Sequence, residues 1–157
     1  MWVEEGRDGS VAVTGPAQAR IGWVPGCPEP SRRTTGSGRS TAVGKAILAN
    51  YPDEEVIALL GRTGMQRHTD RTLVTPEAFL KELAEVRRLG YAVDEGEQEI
   101  GVRCVGVAVP ETPQPMALSM SGPLARVNDE VVQRAHQVLR EAASEIRAVL
   151  SRTGSGD

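Results

Sequence analysis

Residues 101–122, Gly-Val-Arg-Cys-Val-Gly-Val-Ala-Val-Pro-Glu-Thr-Pro-Gln-Pro-Met-Ala-Leu-Ser-Met-Ser-Gly, restrict the possible folds of this chain more than any other stretch. Two apolar runs flank a connection holding Pro113 and Pro115. Proline has no N–H to give a ladder, so the connection predicts a β-hairpin with the prolines outside it. Side chains alternate between the faces of a strand. With Val109 opposite Met116, Val107 faces Leu118 and Val105 faces Met120, a bulky face fit for a core. On the reverse face Ala108 meets Ala117, Gly106 meets Ser119 and Cys104 meets Ser121, each pair with Cβ atoms ~5 Å apart. That face is a floor of small groups with two hydroxyls and a thiol. Such a floor can leave volume for a small polar ligand. It can equally face solvent or lie closely under a helix.

The remaining composition narrows the class. Hydrophobic residues are 39% and aromatics only 3%, so the core is aliphatic. A net charge of −3 argues against the whole chain being a nucleic-acid surface. Cys27 and Cys104 form no CxxC pair and no Cys/His cluster of ligand spacing, so no metal and no cofactor are expected. Reduced thiols in the cytoplasm are the simpler reading, with a disulfide between the two left open. No run approaches the ~20 apolar residues of a membrane span, and the start lacks a secretory core.

Taken in order, residues 1–38 are rich in Gly and Pro. Val11–Val13 and Ile21–Val24 read as strands linked through Gly15-Pro16, and Trp2 and Trp23 as covers for apolar surface. Gly26–Gly38 reads as a long loop in which Cys27 is incidental and Arg32, Arg33 and Arg39 are a solvated basic cluster. A helix follows to Asn50, capped by Ser40 or Thr41. Lys45 does not belong to a phosphate loop: the place four residues before Gly44 holds Arg39, not Gly, and Ala46 follows the lysine. Gly36–Thr41 lacks the third glycine of a dinucleotide fingerprint. Pro52–Leu60 predicts a second helix ended by Gly61, with Asp53, Glu54 and Glu55 in its first turn. Residues 62–73 are polar and irregular, with His68 on the surface.

Thr75-Pro76-Glu77 predicts a third helix start and Gly90 its stop. Phe79, Leu80, Leu83 and Val86 mark its buried stripe, and Lys81, Glu82, Glu85, Arg87 and Arg88 its wet face. Tyr91–Asp94 is a strand leading into an acidic turn, Glu95–Glu99. Asn128 caps a last helix with a stripe at Val131, Ala135, Val138, Leu139, Ala142, Ile146 and Leu150, and His136 near its edge.

Catalysis would need a nucleophile with a base, or a metal set. Cys104 is the candidate nucleophile within the hairpin, and neither His68 nor His136 is tied to it. Ser119 and Ser121 lie mid-strand, unlike the serine of a nucleophile elbow. Asp94, Cys104, Ser119 and Ser121 make better sense as ligand-recognising groups.

From residue 41 onward several linked segments occur in order: Thr41–Ala49, Thr69–Thr72, Glu82–Glu95, Glu99–Pro110 and Leu118–Arg126. Together they resemble the effector-binding domain of the IclR family of bacterial transcriptional regulators. The resemblance implies an α+β fold, a GAF-like or profilin-like antiparallel sheet flanked by helices. It implies one effector-binding domain over 1–157, with opening strands and a loop in 1–38 and a disordered tail in 151–157. It also implies a small-molecule effector, an organic acid or aromatic metabolite. Carried over by position, the pocket uses backbone amides near Ala42 and Val43, with Asp94, Cys104, Ser119 and Ser121. Arg39 stands where the family often has His, near the pocket entrance.

A carboxylate effector beside Asp94 is repelled unless a hydroxyl intervenes or Asp94 has a raised pKa. The resemblance further implies a homodimer or homotetramer. No winged helix-turn-helix is legible in residues 1–40, so the chain is expected to bind no DNA itself and to be a sensor fragment or a naturally short protein. The readings to separate are a ligand sensor, a small enzyme using Cys104, and an interaction domain whose pocket is filled by side chains.

Overall fold

The computed structural model describes residues 2–5, 11–14, 18–23, 38–112 and 115–153. Strands β1 (Trp2–Glu5), β2 (Val11–Thr14) and β3 (Gln18–Trp23) come first. A 3-10 turn at Gly38–Ser40 leads into α1 (Ala42–Leu48), α2 (Asp53–Thr63) and α3 (Pro76–Leu89). The chain ends with β4 (Ala92–Glu95), β5 (Val102–Val109), β6 (Met116–Pro123) and α4 (Asp129–Thr153). The six strands form one antiparallel sheet in the order β1-β2-β3-β6-β5-β4. The fold is α+β, as the resemblance implied.

The hairpin has the expected register: Val109 pairs with Met116, Val107 with Leu118, Val105 with Met120, Gly106 with Ser119 and Cys104 with Ser121. Of the opening strands, β2 and β3 are near the places read from sequence, and β1 was not foreseen. Most of the expected Gly26–Gly38 loop lies outside the described residues, as do Cys27, Arg32, Arg33 and the Gly15-Pro16 link.

The valine face of the hairpin carries α4. Val105, Val107, Val109 and Leu118 form a core with Val127, Val132, Ala135, Leu139 and Ala143. The stripe expected on α4 is largely the one that is used: Ala135 and Leu139 are in this core, and Val131, Ala142 and Ile146 pack against it. Val138 is 63% exposed and Leu150 is exposed too, whereas Val132 and Ala143 are buried. The contact face is centred slightly to one side of the expected stripe, which takes in Val132 and Ala143 and leaves out Val138 and Leu150. The helix also runs through Ser151 to Thr153 where a disordered tail was expected. The Ser151 hydroxyl donates to the Ala148 carbonyl (3.1 Å), and the first glycine of the tail comes only at Gly154.

The opposite face carries α1 and α3, with α2 packed behind them. Thr41 caps α1, accepting from the Gly44 amide at 3.1 Å. Thr75 caps α3 and Gly90 ends it, as the sequence implied. Gly61 does not end α2. The helix continues to Thr63 and stops at Gly64, whose φ of +73° favours glycine. Burial of Val56 and Leu60 outweighs the roughly 1 kcal/mol that a mid-helix glycine costs.

Gly106 explains how closely α1 approaches the sheet. A Cβ there would lie 2.5 Å from the Ala42 carbonyl oxygen and 3.0 Å from the Val43 amide nitrogen. The obstacle is backbone, which cannot swing aside. We predict that Gly106→Ala destabilises the protein by about 1–3 kcal/mol, the usual range for overpacking. Urea unfolding measures this; an unchanged midpoint would mean that α1 does not press on β5.

Candidate ligand-binding site

The cross-strand register collects the predicted polar set on one face. Asp94 of β4 lies opposite Cys104 of β5, and Cys104 opposite Ser121 of β6, so the three form one row. Ser119 lies in the next row, opposite Gly106, which is itself opposite Ala92. Ala42 and Val43 begin α1 directly above Gly106. The six residues named from sequence therefore converge on one region.

The small-residue floor is only partly open. Ala108 and Ala117 are packed into the core formed by α1 and α3, and Gly106 is under the first turn of α1. Over that half of the hairpin, closeness of a helix backbone is the reason for small side chains. Ser119 is buried, and Cys104 and Ser121, at the other end, are half-buried. The less covered part of the floor is thus the Cys104–Ser121 end.

Asp94 is 3% exposed and already engaged. Its Oδ1 accepts from the Glu97 amide at 2.7 Å, and the Gly96 and Gln98 amides also face its carboxylate. It closes the turn after β4. Burial raises its pKa above the ordinary carboxylate value, against the opposing pull of these amides and of the Lys45 charge.

The principal group that sequence reasoning missed is Lys45. Its place in the sequence excludes a phosphate loop and gives no sign of burial. Its side chain is fully buried. Nζ donates to Glu97 Oε1 at 2.5 Å, to Glu82 Oε1 at 2.9 Å and to the Val93 carbonyl. Three N–H donors meet three acceptors, on the turn after β4, on α3 and on β4. Glu82, expected on a wet face, is instead drawn into this node. Glu97 is 7% exposed, and burial first, then the nearby Asp94 and Glu82, raise its pKa against the pull of Lys45. Its Oε2 has no partner among the described residues.

Arg39 also differs from expectation, since it is 5% exposed and does not belong to a solvated cluster. Its guanidinium donates to the Leu73 carbonyl (3.0 Å), to the Gln66 carbonyl and to the Ser40 hydroxyl (3.3 Å). Burial lowers its pKa, while the Glu97 charge acts the other way. Thr69 and Thr72, part of the region read as irregular, clamp the same turn. Thr69 Oγ1 donates to the Gly96 carbonyl and Thr72 Oγ1 to the Glu97 carbonyl, both at 2.6 Å. His68 is exposed, as expected, and His136 stacks on Tyr91 at 4.5 Å.

Residues 38–148 match the family model for the bacterial transcriptional regulator IclR, C-terminal domain. The chain belongs to the IclR family. The transcriptional repressor IclR of Escherichia coli is 36% identical over 109 residues, covering 68% of this chain and 40% of that protein. The repressor AllR of E. coli is 32% identical over 113 residues, covering 71% and 42%. This chain thus spans about two-fifths of the length of these relatives. The crystal structure of the C-terminal domain of the E. coli regulator KdgR superposes with a TM-score of 0.68 at 33% identity, covering 88% of this chain and 84% of that one. These IclR-type relatives are transcriptional regulators, and they lend no support to an enzyme with Cys104 as nucleophile.

Two outcomes follow from the buried charges. Lys45→Met leaves Glu97 and Glu82 without their cation and is expected to cost about 3–5 kcal/mol, the range for breaking a buried ion pair. Pairing it with Glu97→Gln should recover part of the loss in denaturant unfolding. The raised pKa of Glu97 sets the sign with pH. The folded state holds its proton over a window where the unfolded chain has released it. This group's contribution therefore falls as pH rises through that window. Relative to Glu97→Gln, the parent should lose ground as pH rises above the ordinary carboxylate range; a difference that grows with pH would contradict the burial.

Proposed function

We propose that this IclR-family chain is the ligand-sensing part of a cytoplasmic transcriptional regulator, and that a small organic acid or aromatic metabolite is its effector. The observation carrying this reading is the convergence of Asp94, Cys104, Ser119 and Ser121 in two adjacent rows beside the start of α1. In this reading the amides of Ala42 and Val43 receive the effector's acidic group. The hydroxyls of Ser119 and Ser121 and the Cys104 thiol line its body. Asp94, with its raised pKa, tolerates a nearby carboxylate or accepts from a hydroxyl of the effector.

DNA contact belongs, on this proposal, to another domain of the full regulator, and the regulator works as a homodimer or homotetramer. Among the described residues no helix is long and apolar enough to cross a membrane.

A thermal-shift screen of small organic acids identifies the effector. One present at a hundredfold excess over its Kd adds ~2.7 kcal/mol of stability. Calorimetry with that acid should show Ser121→Ala and Asp94→Ala each weakening binding by about tenfold, a loss of about 1.4 kcal/mol. Ser121 is half-buried, so its substitution separates lost contact from lost folding. Unchanged affinity in both variants would remove these residues from the site. In a gel-shift at moderate salt the chain should show no sequence-selective DNA binding.

A further inference from the structure

At the other end of α1 the sheet is incomplete. The β4 ladder stops where Ala92 pairs with Gly106, yet β5 continues to Val109. Over residues 107–109, β5 is paired only with β6 among the described residues. A cleft of about 250 Å³ opens there between α1, α3 and α4. Its walls are Ala46, Ala49, Val86, Val107, Ala108 and Ala143, and its polar groups include Arg87 and Arg140, with no Asp or Glu in the lining.

The two arginines differ in how they are held. Arg87 is fixed by the Ala49 carbonyl (2.8 Å), the Tyr51 carbonyl (3.0 Å) and Asp53 (2.8 Å), so Asp53 already offsets its charge. Arg140 has no carboxylate partner among the described residues. The helix positions three and four residues away are His136, Gln137, Ala143 and Ser144, none of them acidic. Burial lowers the pKa of the His136 ring, and the Arg140 charge acts in the same direction.

A small, mostly apolar cleft with one rigid arginine and one uncompensated arginine complements an anion with a compact hydrocarbon body. We propose that this cleft is a second binding site, distinct from the Asp94–Ser121 region, for a small monocarboxylate whose carboxylate pairs with Arg140 and whose body lies against Ala46, Ala49 and Val107. The proposal does not depend on the effector reading.

The test is a titration of the whole chain with sodium benzoate, followed by backbone amide NMR, with benzamide as the neutral control. Saturable shifts are expected at Ala46, Ala108 and Ser144 with benzoate, and shifts at least tenfold weaker in apparent affinity with benzamide. Arg140→Ala should weaken the benzoate response at these amides by about tenfold, and Arg140→Lys should restore part of it. Because Arg140 is exposed, the fold should survive its removal, which the rest of the spectrum reports. Shifts confined to Cys104, Ser119 and their neighbours would overturn the cleft and leave the effector site standing. Equal responses to benzoate and benzamide, or an Arg140→Ala variant that titrates like the parent, would also overturn it.

Discussion

A fully buried ammonium group ties this structure together. Lys45 rises from the second turn of α1 and is met by Glu97, Glu82 and the Val93 carbonyl. A charge removed from water is tolerated only where its donors are satisfied and an opposite charge is close. Meeting both conditions requires α1, α3, β4 and the turn after β4 to arrive together. The same turn is held from three further sides by Asp94, Thr69 and Thr72. The node therefore positions the edge strand that carries Asp94, and with it the first group of the polar row.

Close approach of α1 to the sheet is the second constraint. It uses up the Gly106–Ala108 part of the small-residue floor and leaves the Cys104–Ser121 end less covered. One short helix thereby touches two regions of different character. Its start overhangs the polar row, and its end borders the arginine-lined cleft.

The polar row was legible because strand pairing is local. Once Val109 is set opposite Met116, period-two alternation places Cys104, Ser119 and Ser121 on one side without further information. Asp94 needed only the short strand before the hairpin. Lys45 was not legible, because a lysine in an apolar helix segment reads alike whether it snorkels to solvent or finds acids. Glu82 is 37 and Glu97 52 positions further along the chain. Arg39 was hidden for the same reason: its carbonyl partners, at Gln66 and Leu73, have no side-chain signature.

Local chemistry in the sequence by itself determined the hairpin and its register, a cap for α1 at Ser40 or Thr41, the cap at Thr75, the stop at Gly90 and the resemblance to the IclR family. Each depends on neighbours along the chain or on one turn, where sterics and hydrogen bonding act at short range. Only the tertiary structure decided that Val138 and Leu150 fall outside the buried face of α4, how far the small floor stays open, and that Lys45 and Arg39 lie inside. Those outcomes depend on which surfaces meet. Burial and charge pairing are properties of groups far apart in sequence, and they acquire values only once the layers have closed.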